Sequence, residues 1–478
     1  MRTRALAFAL GFVALVAAAC GRPLVGATSN DDAGAPSAAA TGCMLGVSPV
    51  ATSTLCASHP ELCGTVCGDA CVDLRRDADH CGRCDRACAA RAACNDGACG
   101  VEPTVVVAPT PGCASMRLAY EDGAIYYSDL GHGTINRVPT SGGAPTVLAS
   151  DVIPATIHTS SAQPLFPNGG PVGTNILVRD GTVYWIGAAD RPSVDATGMA
   201  HGGVGTAIWS VRAGSAPVLV LPYAYVPGPS PVSSVGVNGA APLEDPNERP
   251  PLSAMTLSPD GATLFFAAGS RIYRIPATVT APPHGVELVG FTAGPETGFA
   301  TALATDGDRL FFPSSDGTGI EMFDLTTPCT PMTGPPATGA GGRASSYTCP
   351  SFVFGSFPIA LLDTITISNG FVTWAKENNV WRADLSQHDP SIDGHAIFSD
   401  TVSGFGVTGF AVGKTNAFYG EDTTVEMGSS VSVETGNPPP GRVLARAQPW
   451  PSSFVLDDAR VYWTTANCDV SAIAATPQ

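Results

Sequence analysis

From residue 101 onward the chain alternates short apolar runs with Gly, Asp and Pro, and no run continues at the 3.6-residue spacing of an amphipathic helix. Seven runs are marked by aromatics: Ile125-Tyr126-Tyr127-Ser128-Asp129, Val183-Tyr184-Trp185, Leu264-Phe265-Phe266, Leu310-Phe311-Phe312, Val372-Thr373-Trp374, Ala417-Phe418-Tyr419 and Val461-Tyr462-Trp463. Turn residues precede six of them: Asp122-Gly123, Asp180-Gly181, Asp260-Gly261, Asp306-Gly307, Asn369-Gly370 and Asp457-Asp458. Asp-Gly between apolar runs signals a tight hairpin, because such turns need positive φ. Third strands follow, as in Thr134-Ile135-Asn136-Arg137-Val138, Ala207-Ile208-Trp209-Ser210-Val211, Ile272-Tyr273-Arg274-Ile275 and Val380-Trp381-Arg382-Ala383.

Fourth strands are visible at Thr146-Val147-Leu148, Val218-Leu219-Val220 and Val286-Glu287-Leu288-Val289. Repeated four-stranded units at periods of about 40 residues or more define a β-propeller. The pattern predicts an all-β, seven-bladed β-propeller over 101–478. The last repeat has no fourth strand of its own, and Thr104-Val105-Val106-Val107-Ala108 matches the missing one. An N-terminal strand is therefore expected to close the ring, which removes the open edges of the sheet.

The N-terminal part is organised differently. Ala5 to Ala19 is an uncharged apolar stretch behind Arg2 and Arg4, too short for a comfortable span of about 20 residues and suited to a signal peptide over 1–19. Its end, Leu15-Val16-Ala17-Ala18-Ala19-Cys20-Gly21, resembles a bacterial lipobox with Cys20 as the lipidated residue. Ala17 stands where that motif usually has Leu, so ordinary cleavage after the Ala run, and plain secretion, is the alternative. Of the 15 cysteines, using Cys20 for lipid leaves an even number for disulfides. Residues 20–55 are rich in Ala, Ser, Thr, Gly and Pro, lack the apolar mass to fold, and read as a flexible tether.

Residues 56–100 hold Cys63, Cys67, Cys71, Cys81, Cys84, Cys88, Cys94 and Cys99 in a Gly- and Asp-rich background that offers no hydrophobic core. Such a density reads as a disulfide framework and an oxidising compartment. Cys81-x-x-Cys84 has zinc-ligand spacing, but no second matched pair accompanies it, and no βαβ pattern supports a thioredoxin-like site. The run from Cys71-Val72-Asp73 through Asp77-Ala78-Asp79-His80-Cys81-Gly82-Arg83-Cys84 to Cys88, with the tail Cys94-Asn95-Asp96-Gly97-Ala98-Cys99, is similar to the Stig1-type cysteine-rich motif. That resemblance covers about 40 residues and implies a small extracellular module beside other domains.

Elsewhere, Cys113 at the start of the first repeat and Cys468 in the last are expected to be joined if the ring closes between them. Cys329 and Cys349 bracket a Gly/Pro/Thr loop and are expected to pair locally. Tyr126-Tyr127-Ser128-Asp129, Tyr184-Trp185 and Tyr462-Trp463-Thr464 resemble YWTD and NHL-like propeller repeats, although only the first carries the Asp. The resemblance implies a binding scaffold without specifying a ligand.

Charge narrows the partners. The chain has 24 basic and 41 acidic residues, and only Lys376 and Lys414 are lysines. Losing Arg2 and Arg4 with the leader leaves 22 against 41, a balance of −19. That disfavours nucleic acid and anionic headgroups. Catalytic motifs are absent: there is no HExxH, GxSxG or D-x-D-x-D-G loop. Gly404-Phe405-Gly406-Val407-Thr408-Gly409 matches GxGxxG but sits between β repeats, not in a βαβ unit. Gly413-Lys414-Thr415 lacks the first Gly of a P-loop, and Ser314-Ser315-Asp316-Gly317 reads as a turn, not an Asp box.

His132, His158, His201, His284, His388 and His395 are scattered, with no pair at ligand spacing. Insertions at about 186–206, 222–252, 326–350 and 421–440 are the expected functional loops, with acidic clusters at Glu244-Asp245-Pro246-Asn247-Glu248 and Glu421-Asp422. The expectation is an exported lipoprotein of the outer membrane or cell surface, monomeric, without cofactor, metal or catalytic residues, that recognises a protein, glycan or envelope component. A propeller-type lyase or hydrolase is one alternative, and a structural envelope component another.

Overall fold

Asp122-Gly123, Asp180-Gly181 and Asn369-Gly370 all adopt positive φ at both positions (47° and 71°, 51° and 72°, 51° and 80°), the mirror-image turn geometry that keeps two twisted strands paired. The other turns use side chains instead. Asp457 Oδ1 accepts from the Ala459 and Arg460 amides (2.7 and 2.6 Å), and Asp260 Oδ1 accepts from Ala262 (3.0 Å). Each turn joins the first and second strands of a four-stranded antiparallel blade.

The computed structural model describes residues from 65 onward, apart from 69, 114–115, 130, 151, 153–175, 195–199, 222–251, 269–270, 279–285, 292–299, 301, 314–319, 328–329, 332–346, 349–350, 355–364, 377–378, 387–394, 400–406, 430–441 and 476–478. Seven blades follow one another around a ring, and the described residues contain no helix. Blade one is Met116–Glu121, Ala124–Asp129, Thr134–Pro139 and Thr146–Ala149. Blade two is Ile176–Arg179, Thr182–Val194, Ala200–Arg212 and Val218–Leu221, and blade three is Leu252–Leu257, Thr263–Ala268, Arg271–Pro276 and Glu287–Phe291. Blade four is Ala304–Thr305, Arg309–Pro313, Ile320–Asp324 and Ser351–Phe354, and blade five is Ile365–Ser368, Phe371–Lys376, Asn379–Asp384 and His395–Ser399. Blade six is Val407–Val412, Asn416–Glu421, Thr424–Ser429 and Arg442–Ala445. Blade seven takes Ser452–Leu456, Arg460–Thr464 and Val470–Ala474 from the C-terminal end and Thr104–Val107 from before blade one. That closing strand pairs antiparallel, with Val107 opposite Val470 and Thr104 opposite Ala472.

The aromatic strands are second strands because that position is enclosed on both faces by neighbouring blades. All six residues of Ala124–Asp129 are buried, and Trp463, Tyr462, Tyr419, Phe266, Phe311 and Phe312 are among the largest fully enclosed side chains. Each such burial contributes about 2–3 kcal/mol. At the closing seam Val106, Val107, Met116, Leu118 and Tyr127 pack on Tyr462 and Val470. Turns of neighbouring blades are tied to one another: Glu121 accepts from the Asp180 and Gly181 amides at 2.7 Å each, and Arg460 donates to the carbonyl of Thr140, just after the third strand of blade one.

Two expectations about loops are corrected. The insertion at 186–206 is largely a β-ribbon: the central strands of blade two run 13 residues each and stay paired from Thr182–Arg212 to Val194–Ala200. Glu421 is no loop residue but the buried last position of a strand. Within 326–350 a short ribbon pairs Thr330 with Thr348 and Pro331 with Tyr347, while 222–251 and Glu244 to Glu248 lie outside the described residues.

Candidate recognition site

Among the described residues, three disulfides hold the small N-terminal unit: Cys67–Cys84, Cys81–Cys94 and Cys88–Cys99. Cys81, Cys88 and Cys99 bring their sulfurs within 4.8 Å of one another, but all three are spent in these bridges and offer no thiolate to a metal. Cys20, Cys63, Cys329, Cys349 and the side chain of Cys71 lie outside the described residues. Cys113 and Cys468 are bonded to each other across 355 residues, beside the strand that closes the ring.

This unit is docked on the propeller. Ala92 forms an antiparallel bridge with Ala445, the end of the outer strand of blade six, and the Arg446 amide donates to the Arg91 carbonyl at 3.1 Å. Asn95 Nδ2 donates to the Val443 carbonyl at 2.9 Å. Arg91 Nη2 reaches inward to Gln448 Oε1 (2.7 Å), Ser471 Oγ (2.7 Å) and Asp469 Oδ2 (3.2 Å). Ser471 Oγ donates in turn to Asp469 Oδ2, and Thr465 Oγ1 donates to Asp469 Oδ1. An enclosed carboxylate is favourable beside a guanidinium only when its other lone pairs are also matched, and Asp469 accepts at both oxygens.

Gln448 is fully buried at the centre of this arrangement. Its Oε1 also accepts from Trp463 Nε1 at 3.0 Å, its Nε2 donates to the Arg446 carbonyl, and its amide donates to the Thr423 carbonyl. The residues that follow are held as tightly. The Trp450 amide donates to the Asp422 carbonyl at 3.0 Å, Ala466 N donates to the Pro449 carbonyl, and Thr408 Oγ1 donates to the Pro451 carbonyl. Against this anchored backbone the Trp450 ring is 50% exposed, the only aromatic among the exposed large hydrophobic side chains of the described residues.

Backbone strain gathers at the same place. Positive φ outside Asp, Asn and Gly occurs only at Ala447, Trp450, Ser453 and Cys468 among the described residues. Strain of this kind costs about 1–3 kcal/mol per residue and persists where the surroundings over-determine it. A half-exposed aromatic residue on a loop whose backbone is held at Gln448, Pro449, Trp450 and Pro451 loses little backbone freedom on binding, which suits it as an anchor for a partner.

Of the histidines, His132 acquires a partner. Its Nδ1 lies 2.6 Å from Asp129 Oδ2, and its amide donates to Asp129 Oδ1 at 3.2 Å. Bonding to the buried Asp129 carboxylate, then its charge, raises the His132 pKa, with the Pro111 backbone adding to the effect. Burial and the Asp129 charge push the neighbouring Tyr127 up to about 12. Glu421 and Asp422 do not converge: Asp422 sits at a turn with φ 43° and uses its carbonyl to hold Trp450. Val407, Thr408 and Gly409 of the GxGxxG match belong to the first strand of blade six, and its remaining residues lie outside the described residues. The Trp450 loop was not singled out from the sequence; an aromatic between Pro449 and Pro451, off the strand pattern, was the available signal.

The fold and this site define a seven-bladed β-propeller scaffold with a disulfide-rich unit docked on its outer edge. The chain matches no protein-family model and no curated protein. Among solved structures it is similar to virginiamycin B lyase from Staphylococcus aureus bound to quinupristin, with 10% identity over 78% of this chain and 99% of that one, at a TM-score of 0.48. It is also similar to BamB from Moraxella catarrhalis (14% identity, 78% and 98% covered, TM-score 0.38) and to a chain of a nidogen/laminin complex (13%, 58% and 78%, 0.33). The blade count rests on the sheet order and not on these likenesses.

Proposed function

We propose that this chain is an exported lipoprotein whose propeller presents the Trp450 loop to a protein or glycan partner at the cell envelope. The observation that carries this reading is the exposure of Trp450 on a backbone fixed by Gln448, Asp422 and Pro451. Export and anchoring are supported by the Arg2/Arg4 leader and Cys20, and an extracellular module by the Stig1-like spacing from Cys71 to Cys99. The balance of −19 after leader loss steers the partner away from nucleic acid.

The alternative of a propeller lyase or hydrolase gains nothing from Asp129–His132. There the imidazole is held by Asp129 on one nitrogen and drawn toward the Pro111 backbone, as a clasp would be. The test uses the full-length protein and its Trp450→Ala and Cys20→Ser variants. Metabolic labelling with palmitate is expected to mark the wild type and miss Cys20→Ser. Binding to immobilised envelope glycans, peptidoglycan fragments and purified envelope proteins is expected to fall at least tenfold in Trp450→Ala with the melting temperature unchanged. Equal binding by wild type and Trp450→Ala would reject the loop as the recognition site.

A further inference from the structure

Arg382 is a buried guanidinium that feels the charge of Asp384, two residues on, but makes no ion pair among the described residues. It lies on the third strand of blade five, 6% exposed, and its Nε has no hydrogen-bond partner. Burial lowers its pKa, and the charge of Asp384 opposes that shift in part. Two neighbouring hydroxyls share the condition. Thr373 is paired directly opposite Arg382, and Thr366 directly opposite Thr373, so all three side chains project from one face of the blade. Thr373 is fully buried, and neither Thr366 Oγ1 nor Thr373 Oγ1 has a partner.

That face looks toward blade six. Val380, two residues before Arg382, packs on Phe410, Ala417 and Tyr419, whereas Trp374 and Ala383 on the opposite face pack on Phe311 and Met322 of blade four. Of the described carboxylates nearby, Asp384 acts on Arg382 through its charge while its Oδ1 accepts from the Ser386 amide, and Glu426 accepts from Tyr419 Oη. The Phe371 ring covers one face of the guanidinium at 3.3 Å. Stacking of this kind occupies the π face and leaves the N–H donors, which lie in the plane, free to bind.

We propose that Arg382, Thr373 and Thr366 form a binding site for a small carboxylate in the seam between blades five and six. A planar carboxylate has the two oxygens that match the guanidinium fork. Its remaining lone pairs accept from the two hydroxyls. Buried polar groups are otherwise nearly always matched, so three unmatched ones on a single face mark a place for a ligand. The site is independent of the Trp450 loop.

The test is thermal unfolding of the full-length protein at fixed ionic strength, with sodium chloride replaced stepwise by sodium acetate or formate, and by phosphate in a separate arm. The wild-type midpoint is expected to rise with the logarithm of acetate concentration, as linkage requires. Arg382→Met is expected to abolish that dependence. Thr373→Val keeps the charge and is expected to weaken the acetate response at least threefold in apparent affinity, which preserves the test if Arg382→Met fails to fold. An acetate response absent from the wild type, or undiminished in Arg382→Met or Thr373→Val, overturns the site. A response to phosphate with none to acetate or formate overturns the carboxylate assignment.

Discussion

Arg91 Nη2 sits 3.2 Å from Asp469 Oδ2, an ion pair between residues 378 apart in sequence that fastens the disulfide unit to blade seven. The same nitrogen serves Gln448 and Ser471, so one side chain connects the docked unit, the loop before blade seven and the third strand of that blade. Arg91→Ala leaves Asp469 without its cation and is expected to cost about 2–3 kcal/mol, the usual worth of hydrogen bonds to charged groups. Denaturant unfolding measures the loss. Limited proteolysis at the exposed linker around Val101 should also quicken, because the unit is no longer clamped. Unchanged proteolysis would mean that the bridge from Ala92 to Ala445 suffices alone.

Much of the ring was legible because its cause is local. A second strand enclosed between blades must be apolar on both faces, so Ile125-Tyr126-Tyr127 and Val461-Tyr462-Trp463 stand out, and the turn chemistry before them fixes where each hairpin begins. Thr104–Val107 was recognisable as the closing strand because the last repeat ends one strand short. The docking was not legible: Arg91, Gln448 and Asp469 are ordinary polar residues in the sequence, and only the fold makes them neighbours. The ribbon at 182–212 was missed because Ala188 to Ala207 mixes Gly, Asp and Pro without the alternation that announces a strand. Arg382 was read only as part of a strand, since burial without a partner is invisible to spacing.

Cys113–Cys468 acts on the ring as a whole. Bridging 355 residues constrains the unfolded chain by an amount on the order of 5 kcal/mol in the loop-entropy account. Replacing both cysteines by Ser is expected to lower the unfolding free energy by several kcal/mol while the propeller still forms, because Thr104–Val107 continues to pair with blade seven. Differential scanning calorimetry with and without reductant checks this. A stability identical to the wild type would show that strand closure alone carries the seam.

A local bridge between Cys329 and Cys349 is the expected pairing of these two cysteines. Thr330 and Thr348 are paired antiparallel, and the two cysteines, which lie outside the described residues, are their immediate chain neighbours. Non-reducing peptide mapping of the full-length protein should recover a single peptide pair spanning both cysteines. Recovery of either one as a free thiol would refute the pairing.

His132, in the turn between the second and third strands of blade one, gives stability a pH dependence of known sign. Its pKa is raised in the folded protein, foremost by the hydrogen bond to Asp129 and then by that charge. The protonated form is therefore favoured on folding. The stabilisation is complete below the ordinary histidine pKa of about 6.5 and is lost as pH rises through the elevated folded value. Comparing wild type with His132→Gln, the difference in melting temperature should be larger at pH 5.5 than at pH 8.5. An NMR titration of the His132 ring should place its midpoint above that of an unstructured control peptide. A midpoint at or below the control would remove the Asp129 contact as its cause.

The rigidity of the Trp450 loop can be tested without touching the indole. Gly420 lies on the second strand of blade six, and a Cβ there would overlap the Pro451 carbonyl and crowd Thr408 Oγ1 and the Pro451 ring. Nothing in that contact is a flexible chain end, so the backbone around Pro451 must shift. Gly420→Ala is expected to displace the 449–451 segment, weaken the Trp450 amide bond to Asp422, and reduce partner binding nearly as much as Trp450→Ala does. Its effect on global stability should stay within the range of overpacking, about 1–3 kcal/mol, and leave the ring folded. Hydrogen exchange at the Trp450 amide reads the loop directly. Faster exchange with unaltered binding would show that recognition needs the indole but not its fixed backbone.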